Sequence, residues 1–336
     1  MQIHTTADAF YISDPSDLFY LTHYKNNDAK ILYFGDDRYY FTDARYFEEV
    51  ESLPYIIKNI AFFYNFFEEN NIKTLETDVS ITLDEYEKLK EKGVEKIIEP
   101  TAQIASLRAV KTETEIGFIQ KAQRITDKTF SDVLSYVKED MTEKELDRIL
   151  KSLLYQNGAD DLAFDPIVAF GSNTSKPHAH PGDTRLKKGD LITLDFGAKY
   201  NNYCSDMTRT VAFGEPDEEI KTIYETVLLA QQEAIASLHA GITGAEAQKI
   251  VTDIFEERGV GEYFTHSLGH SLGIDIHENP CLSVRNNEPI PENAVTSVEP
   301  GLYFPKKFGV RIEDIVVFTK TGVRNLTNSE KKLIII

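Results

Sequence analysis

The sequence predicts a mixed α/β region over residues 1–108, followed by an α+β domain with pseudo-twofold halves over 109–336. Three observations lead there. Short strand-like runs alternate with short helical ones up to Pro100, where polar residues end the pattern. Beyond that point, two helices followed by strand-rich sequence occur twice in succession. Five of the eight histidines then fall within one hundred residues of the second region, among glycine-rich strand ends and carboxylates.

In chain order, residues 29–34 and 38–42 read as strands around the turn Gly35-Asp36-Asp37. A long helix is predicted over 112–139, opened by a capping box of Thr112 with Glu115. Thr142 with Glu145 opens a second helix, which stops near Asn157-Gly158. Strand-rich sequence follows to Phe213. Residues 217–239 form a third predicted helix, and Thr243 with Glu246 caps a fourth that stops near Arg258-Gly259. Further strands reach Phe318. The strands of both halves are expected to form one sheet with helices outside it, so that a site between the halves draws on each.

Subtracting 36 Lys and Arg from 55 Asp and Glu leaves a net charge of −19, which argues against a nucleic-acid binder with a basic surface. A hydrophobic fraction of 41% with 27% charged residues suits a folded chain of about two domains. Cys204 and Cys281 are too few for a disulfide framework, which points to a reducing compartment. Met1 to Phe10 lacks the basic and apolar regions of a signal peptide, and no apolar run approaches the ~20 residues that span a bilayer. The expectation is a cytoplasmic protein without membrane or nucleic-acid partners.

Asp195 sits in an apolar strand-like run over 191–197, and Asp206 follows in a strand beginning near Tyr203. The polar turn over 199–202 lets these strands pair and brings both carboxylates together. Close anions destabilise each other unless a cation lies between them. Glu299 and Glu313 repeat the device in the second half. Four carboxylates in core strands are too costly unpaired, whereas two divalent cations cancel their charge if the histidine ligand is neutral. His270, between Gly269 and Gly273, is the strongest imidazole candidate because flanking glycines let the backbone turn its ring into a crowded centre. A mostly oxygen ligand set suits Mn²⁺, with Co²⁺, Fe²⁺ and Zn²⁺ as alternatives. Cys204 beside it reads as structural.

The remaining histidines divide by context. His266 and His270 are four apart, but the glycines and the lack of a glutamate at Ser267 argue against the helical zinc motif. His277 shares a strand face with Asp275 if residues 273–278 are extended, and His178 lies in a loop rich in Pro and Gly. His4, His23, His180 and His239 read as structural. There is neither a Walker A sequence nor a Gly-x-Ser-x-Gly elbow, and Cys281 near His277 is a weak cysteine-hydrolase signal.

The ordered set Asp195, Asp206, His270, Glu299, Glu313 resembles the pita-bread metallopeptidases, which include methionine aminopeptidase, aminopeptidase P, prolidase and the metal-free creatinase. The blocks Leu194-Asp195-Phe196-Gly197, Ser205-Asp206-Met207-Thr208-Arg209-Thr210, Gly269-His270-Ser271-Leu272-Gly273, His277-Glu278-Asn279-Pro280, Val298-Glu299-Pro300-Gly301 and Val310-Arg311-Ile312-Glu313-Asp314 all look like motifs of that family. Phe19-Tyr20-Leu21-Thr22 and Phe41-Thr42-Asp43-Ala44-Arg45-Tyr46 are similar to the creatinase/prolidase-type N-terminal domain. The resemblance covers nearly the whole chain and points to the Xaa-Pro branch.

By this resemblance Asp206 and Glu313 bridge two divalent ions, Asp195 completes one, and His270 with Glu299 completes the other. His178, His266 and His277 match the family's non-ligand histidines, although Ala179-His180-Pro181-Gly182 departs from the glycine that relatives often carry directly after the first of them. On that assignment Glu299 relays a proton towards the leaving proline nitrogen, His277 and His178 hydrogen-bond the carbonyl oxygen and the peptide as negative charge develops, and His266 positions substrate. The implied activity is a Xaa-Pro aminopeptidase acting on peptides with proline second, with prolidase as the alternative. A peptide-binding pseudoenzyme is disfavoured because no ligand position is lost. Some prolidases carry an arginine directly after the His-Glu-x-Pro block; here Cys281 stands there, with Arg285 four residues on, which favours peptides longer than a dipeptide. The resemblance also implies a homodimer.

Overall fold

The computed structural model describes residues 3–98 and 100–336. The chain divides into two compact units, residues 1–108 and 109–336.

The first unit runs β1 (Ala9–Ile12), α1 (Pro15–Thr22), β2 (Lys30–Phe34), β3 (Asp37–Thr42), α2 (Phe47–Val50), β4 (Ile56–Asn59), α3 (Phe63–Glu69), β5 (Thr74–Thr77), α4 (Leu83–Glu91), β6 (Lys96–Ile98) and α5 (Gln103–Ala109). Its mixed sheet has the order β4-β3-β2-β1-β5-β6. Strand periodicity explains the layers. Ala9 and Tyr11 join Phe41, Phe63 and Phe67 on one face, while Phe10 and Ile12 join Leu18, Tyr40 and Ile104 on the other. β2 and β3 pair as a hairpin closed at Gly35-Asp36, where Gly35 takes a positive φ of 59°.

The second unit begins with α6 (Glu113–Val133), α7 (Glu143–Gln156), β7 (Asp161–Leu162), β8 (Ile167–Phe170), β9 (Leu191–Phe196), β10 (Ala198–Tyr200), β11 (Tyr203–Cys204) and β12 (Met207–Ala212). Its second half has α8 (Glu218–Ser237), α9 (Gly244–Glu257), β13 (Gly269–Ser271), β14 (Glu278–Leu282), β15 (Val295–Val298), β16 (Gly301–Phe304), β17 (Phe308–Arg311), β18 (Asp314–Thr319) and β19 (Gly322–Asn325). All three expected capping boxes are formed, at Thr112/Glu115, Thr142/Glu145 and Thr243/Glu246. The first helix ends sooner than the sequence predicts. After Val133 the chain tightens into a 3₁₀ turn, the Ser135 hydroxyl donates back to the Asp132 carbonyl, and Val137 is extended.

The strands do not form one continuous ladder. The first half contributes the sheet β12-β9-β8 and the second the sheet β14-β13-β15-β18-β19, with β16-β17 as a separate hairpin. Where the halves meet, a side chain replaces ladder bonds: the Thr210 hydroxyl accepts from Arg311 N at 3.2 Å and donates to Arg311 O at 3.0 Å. The backbone bond from Glu313 N to Thr208 O at 3.1 Å lies beside it. Each half has its own core. Ile125, Leu146, Leu150 and Leu194 pack in the first, and Val227, Val251, Phe255 and Val316 in the second. Full burial of each such side chain contributes about 1.5–3 kcal/mol. Among the described residues no helix is long and apolar enough to cross a membrane.

Candidate metal centre

The strand breaks explain how core carboxylates reach one point. Asp195 lies within β9, but Asp206 sits between β11 and β12, Glu299 between β15 and β16, and Glu313 between β17 and β18. Interrupting the ladder frees these side chains from strict strand alternation. Gly197 makes the first break, because a Cβ there would lie 1.9 Å from the Ser205 carbonyl oxygen. The register then resumes with Met207 opposite Phe196, so that Asp195 faces Thr208.

The five residues line one cavity of about 390 Å³ together with His178, His266, His277, Cys281 and Arg311. Asp206, His270 and Glu313 each offer a ligand atom within 4.8 Å of the others. His270 Nε2 lies 3.6 Å from Asp206 Oδ2 and 3.4 Å from Glu299 Oε1. Among the described residues, buried Asp195 Oδ1, Asp206 Oδ1 and Glu313 Oε1 have no hydrogen-bond partner. Three orphaned carboxylate oxygens beside an imidazole are a poor arrangement for a dry core and a fitting donor set for hard or borderline divalent ions.

Electrostatics point the same way. Burial, and then the charges of Glu313, Asp195 and Glu299, hold Asp206 well above the usual carboxylate range. Glu313 is raised by burial and by Glu299 and Asp195, and Glu299 is raised chiefly by burial. Burial pushes His270 below the ordinary imidazole value, leaving it neutral as a ligand must be.

Arg311 is the centre's unanticipated member. Its guanidinium donates to Asp195 Oδ2 at 2.6 Å, Tyr303 Oη at 2.7 Å, Thr208 Oγ1 at 3.0 Å and Pro177 O at 3.2 Å. The Thr208 hydroxyl donates onward to Glu313 Oε2 at 2.6 Å. Although burial disfavours the Arg311 charge, Tyr303, Asp195 and Glu299 together hold it protonated. The sequence signal was an arginine within the apolar run 310–312. Its partners were not legible there.

The histidines occupy different settings. His277 is exposed, with its ring centroid 4.4 Å from that of His270, and burial followed by His270 lowers its pKa. Residues 273–277 form bends rather than the strand expected for them, because β14 starts only at Glu278. Within those bends Gly273 N bonds Asp275 O, and Asp275 N bonds Glu278 Oε1. His266 is engaged at both ring nitrogens: Nδ1 lies 2.8 Å from Ser267 O and Nε2 lies 2.9 Å from Tyr303 Oη. Since a carbonyl only accepts, Nδ1 carries the proton and Nε2 accepts from Tyr303. His178 is exposed on the loop between β8 and β9. Cys204 is buried with its thiol against Ile274 O, apart from the cavity lining. Arg285 is exposed and is not among the cavity residues.

Comparison with known proteins agrees with this architecture. Residues 117–320 match the family model "Metallopeptidase family M24", and residues 4–110 match "Creatinase/Prolidase N-terminal domain". The chain is 40% identical over 264 residues to the Xaa-Pro dipeptidase of Pyrococcus horikoshii, covering 78% of this chain and 75% of that one. The solved prolidase of Pyrococcus horikoshii superposes with a TM-score of 0.94 at 35% identity, covering 98% of this chain and 96% of that one. The X-Pro aminopeptidase of Thermotoga maritima gives a TM-score of 0.90 at 34% identity, with coverage of 98% and 96%. With a pita-bread domain behind a creatinase/prolidase-type N-terminal domain, this chain is a peptidase that belongs to metallopeptidase family M24.

Proposed function

We propose that the protein hydrolyses the Xaa-Pro bond of dipeptides, releasing proline. The observation that carries this reading is the five-residue centre in a chain 40% identical to a Xaa-Pro dipeptidase. Asp195, Asp206, His270, Glu299 and Glu313 would hold two divalent ions, manganese first, whose chemistry is to polarise the scissile carbonyl and to acidify water. Asp206 and Glu313 would contribute to holding both ions.

The chain's own groups supply the rest. Glu299 takes up a proton and passes it to the proline nitrogen. That transfer is needed because the tertiary amide nitrogen of an Xaa-Pro bond leaves poorly as an anion. His277, neutral at pH 7 because its pKa is lowered, donates an N–H to the carbonyl oxygen as negative charge develops. His178 binds the peptide from the facing loop. His266, anchored to Tyr303 and Ser267, shapes the wall that receives the substrate.

One observation favours a second reading, Xaa-Pro aminopeptidase: Cys281 lines the cavity, and burial raises its pKa, so it presents no charge to a substrate carboxylate. Specificity constants for Ala-Pro and Ala-Pro-Ala at saturating Mn²⁺ separate the two. The dipeptidase reading expects Ala-Pro to be preferred, and a tripeptide cleaved equally well or better would replace it with the aminopeptidase. The proposal includes a homodimer, which light scattering showing only monomer at micromolar concentration would remove.

A further inference from the structure

The loop that carries His178 is held at both ends by one carboxylate that lies outside the cavity lining. Glu143, the first residue of α7, is fully buried. Its Oε1 accepts from Phe170 N at 2.8 Å and Asn173 Nδ2 at 2.9 Å. Its Oε2 accepts from Gly182 N at 2.8 Å and from the same Asn173 amide at 3.1 Å. The backbone follows suit: Glu143 N donates to Thr184 O and Lys144 N to Gly182 O. These are N–H groups that a helix start leaves without intrahelical partners, and here they are spent on the loop.

Burying a carboxylate is costly, and these bonds from Phe170 N, Asn173 Nδ2 and Gly182 N, with its place in the first turn of α7, are what offset it. Helix capping does not require the group, since Thr142 and Glu145 already complete the capping box. What the carboxylate does is fix Phe170 and Gly182 to one point, closing the segment between them. Within that segment Arg311 donates to Pro177 O, and Thr174 Oγ1 accepts from Gly309 N. His178 follows Pro177 directly, and both line the cavity.

We infer that Glu143 is a positioning residue for the peptidase reaction, acting through His178 by fixing the ends of its loop. This rests on the reading that His178 binds the peptide. The test is a double-mutant cycle of Glu143→Gln and His178→Ala on Ala-Pro, with bound metal and thermal melting measured for each protein. The glutamine keeps the shape but turns an amide towards N–H donors. Glu143→Gln is expected to lower kcat/KM about 10- to 100-fold, mostly through kcat, with metal content unchanged. In the His178→Ala background the same change is expected to cost no more than about 2-fold. Equal losses in both backgrounds would overturn the inference and leave Glu143 a stabilising residue only. If His178→Ala retains full activity, the reading of His178 fails and takes this inference with it. Should Glu143→Gln not fold, Asn173→Ala, which removes the shared amide, carries the same cycle and the same expected coupling.

Discussion

Arg311 and Asp195 form a buried ion pair of 2.6 Å at the wall of the carboxylate cluster. The same guanidinium reaches Thr208, whose hydroxyl bonds Glu313, so one cation serves both halves of the centre. Removing one partner of a buried pair strands the other's charge. In chelator, Arg311→Met is expected to be less stable by about 3–5 kcal/mol in urea unfolding. Added Mn²⁺ should then recover more stability for the variant than for the wild type. A variant as stable as the wild type without metal would show that this pair does not balance the cluster.

Metal binding should be coupled to pH. Asp206, Glu299 and Glu313 have folded pKa values above their unfolded ones, through burial first in all three, with repulsion from neighbouring carboxylates next for Asp206 and Glu313. Without metal they therefore favour folding at low pH, and this contribution is lost as pH rises from about 4 through the folded values. Ligation displaces those protons, so the rise in melting temperature on adding Mn²⁺ should be larger at pH 8 than at pH 6. An equal rise at both pH values would contradict this.

Ligand and non-ligand roles should separate in two variants. Glu313 belongs to the tight group with Asp206 and His270, whereas His277 stands exposed at the cavity. Glu313→Ala is expected to lose bound metal. His277→Ala should keep it while lowering kcat about 10²- to 10³-fold, as loss of one donor to a developing oxyanion does. Elemental analysis beside steady-state kinetics checks both, and equal metal loss in the two variants would refute the assignment.

In the first unit, burial and the neighbouring Asp17 push Asp78 up to about 7. A carboxyl raised in the fold stabilises most below its unfolded pKa, and that contribution falls away as pH rises to about 7. Asp78→Asn, which keeps an acceptor for Val79 N, should melt higher than the wild type at pH 8. The advantage should vanish near pH 4. A difference independent of pH would rule out ionisation as its cause.

The sequence by itself determined the capped helices, the repeated helix-helix-strands plan and the order of the five candidate ligands. Each depends on residues close along the chain: Thr142 needs only Glu145 to start a helix. Tertiary structure decided what distant segments do to each other. It broke the sheet where Thr210 bonds Arg311, turned residues 273–277 into bends, and placed Arg311 against Asp195 across 116 positions of sequence. It also set the Glu143 carboxylate against Gly182, 39 positions away. Such contacts follow from which buried charges must be satisfied once the core has closed, and local periodicity holds no record of that choice.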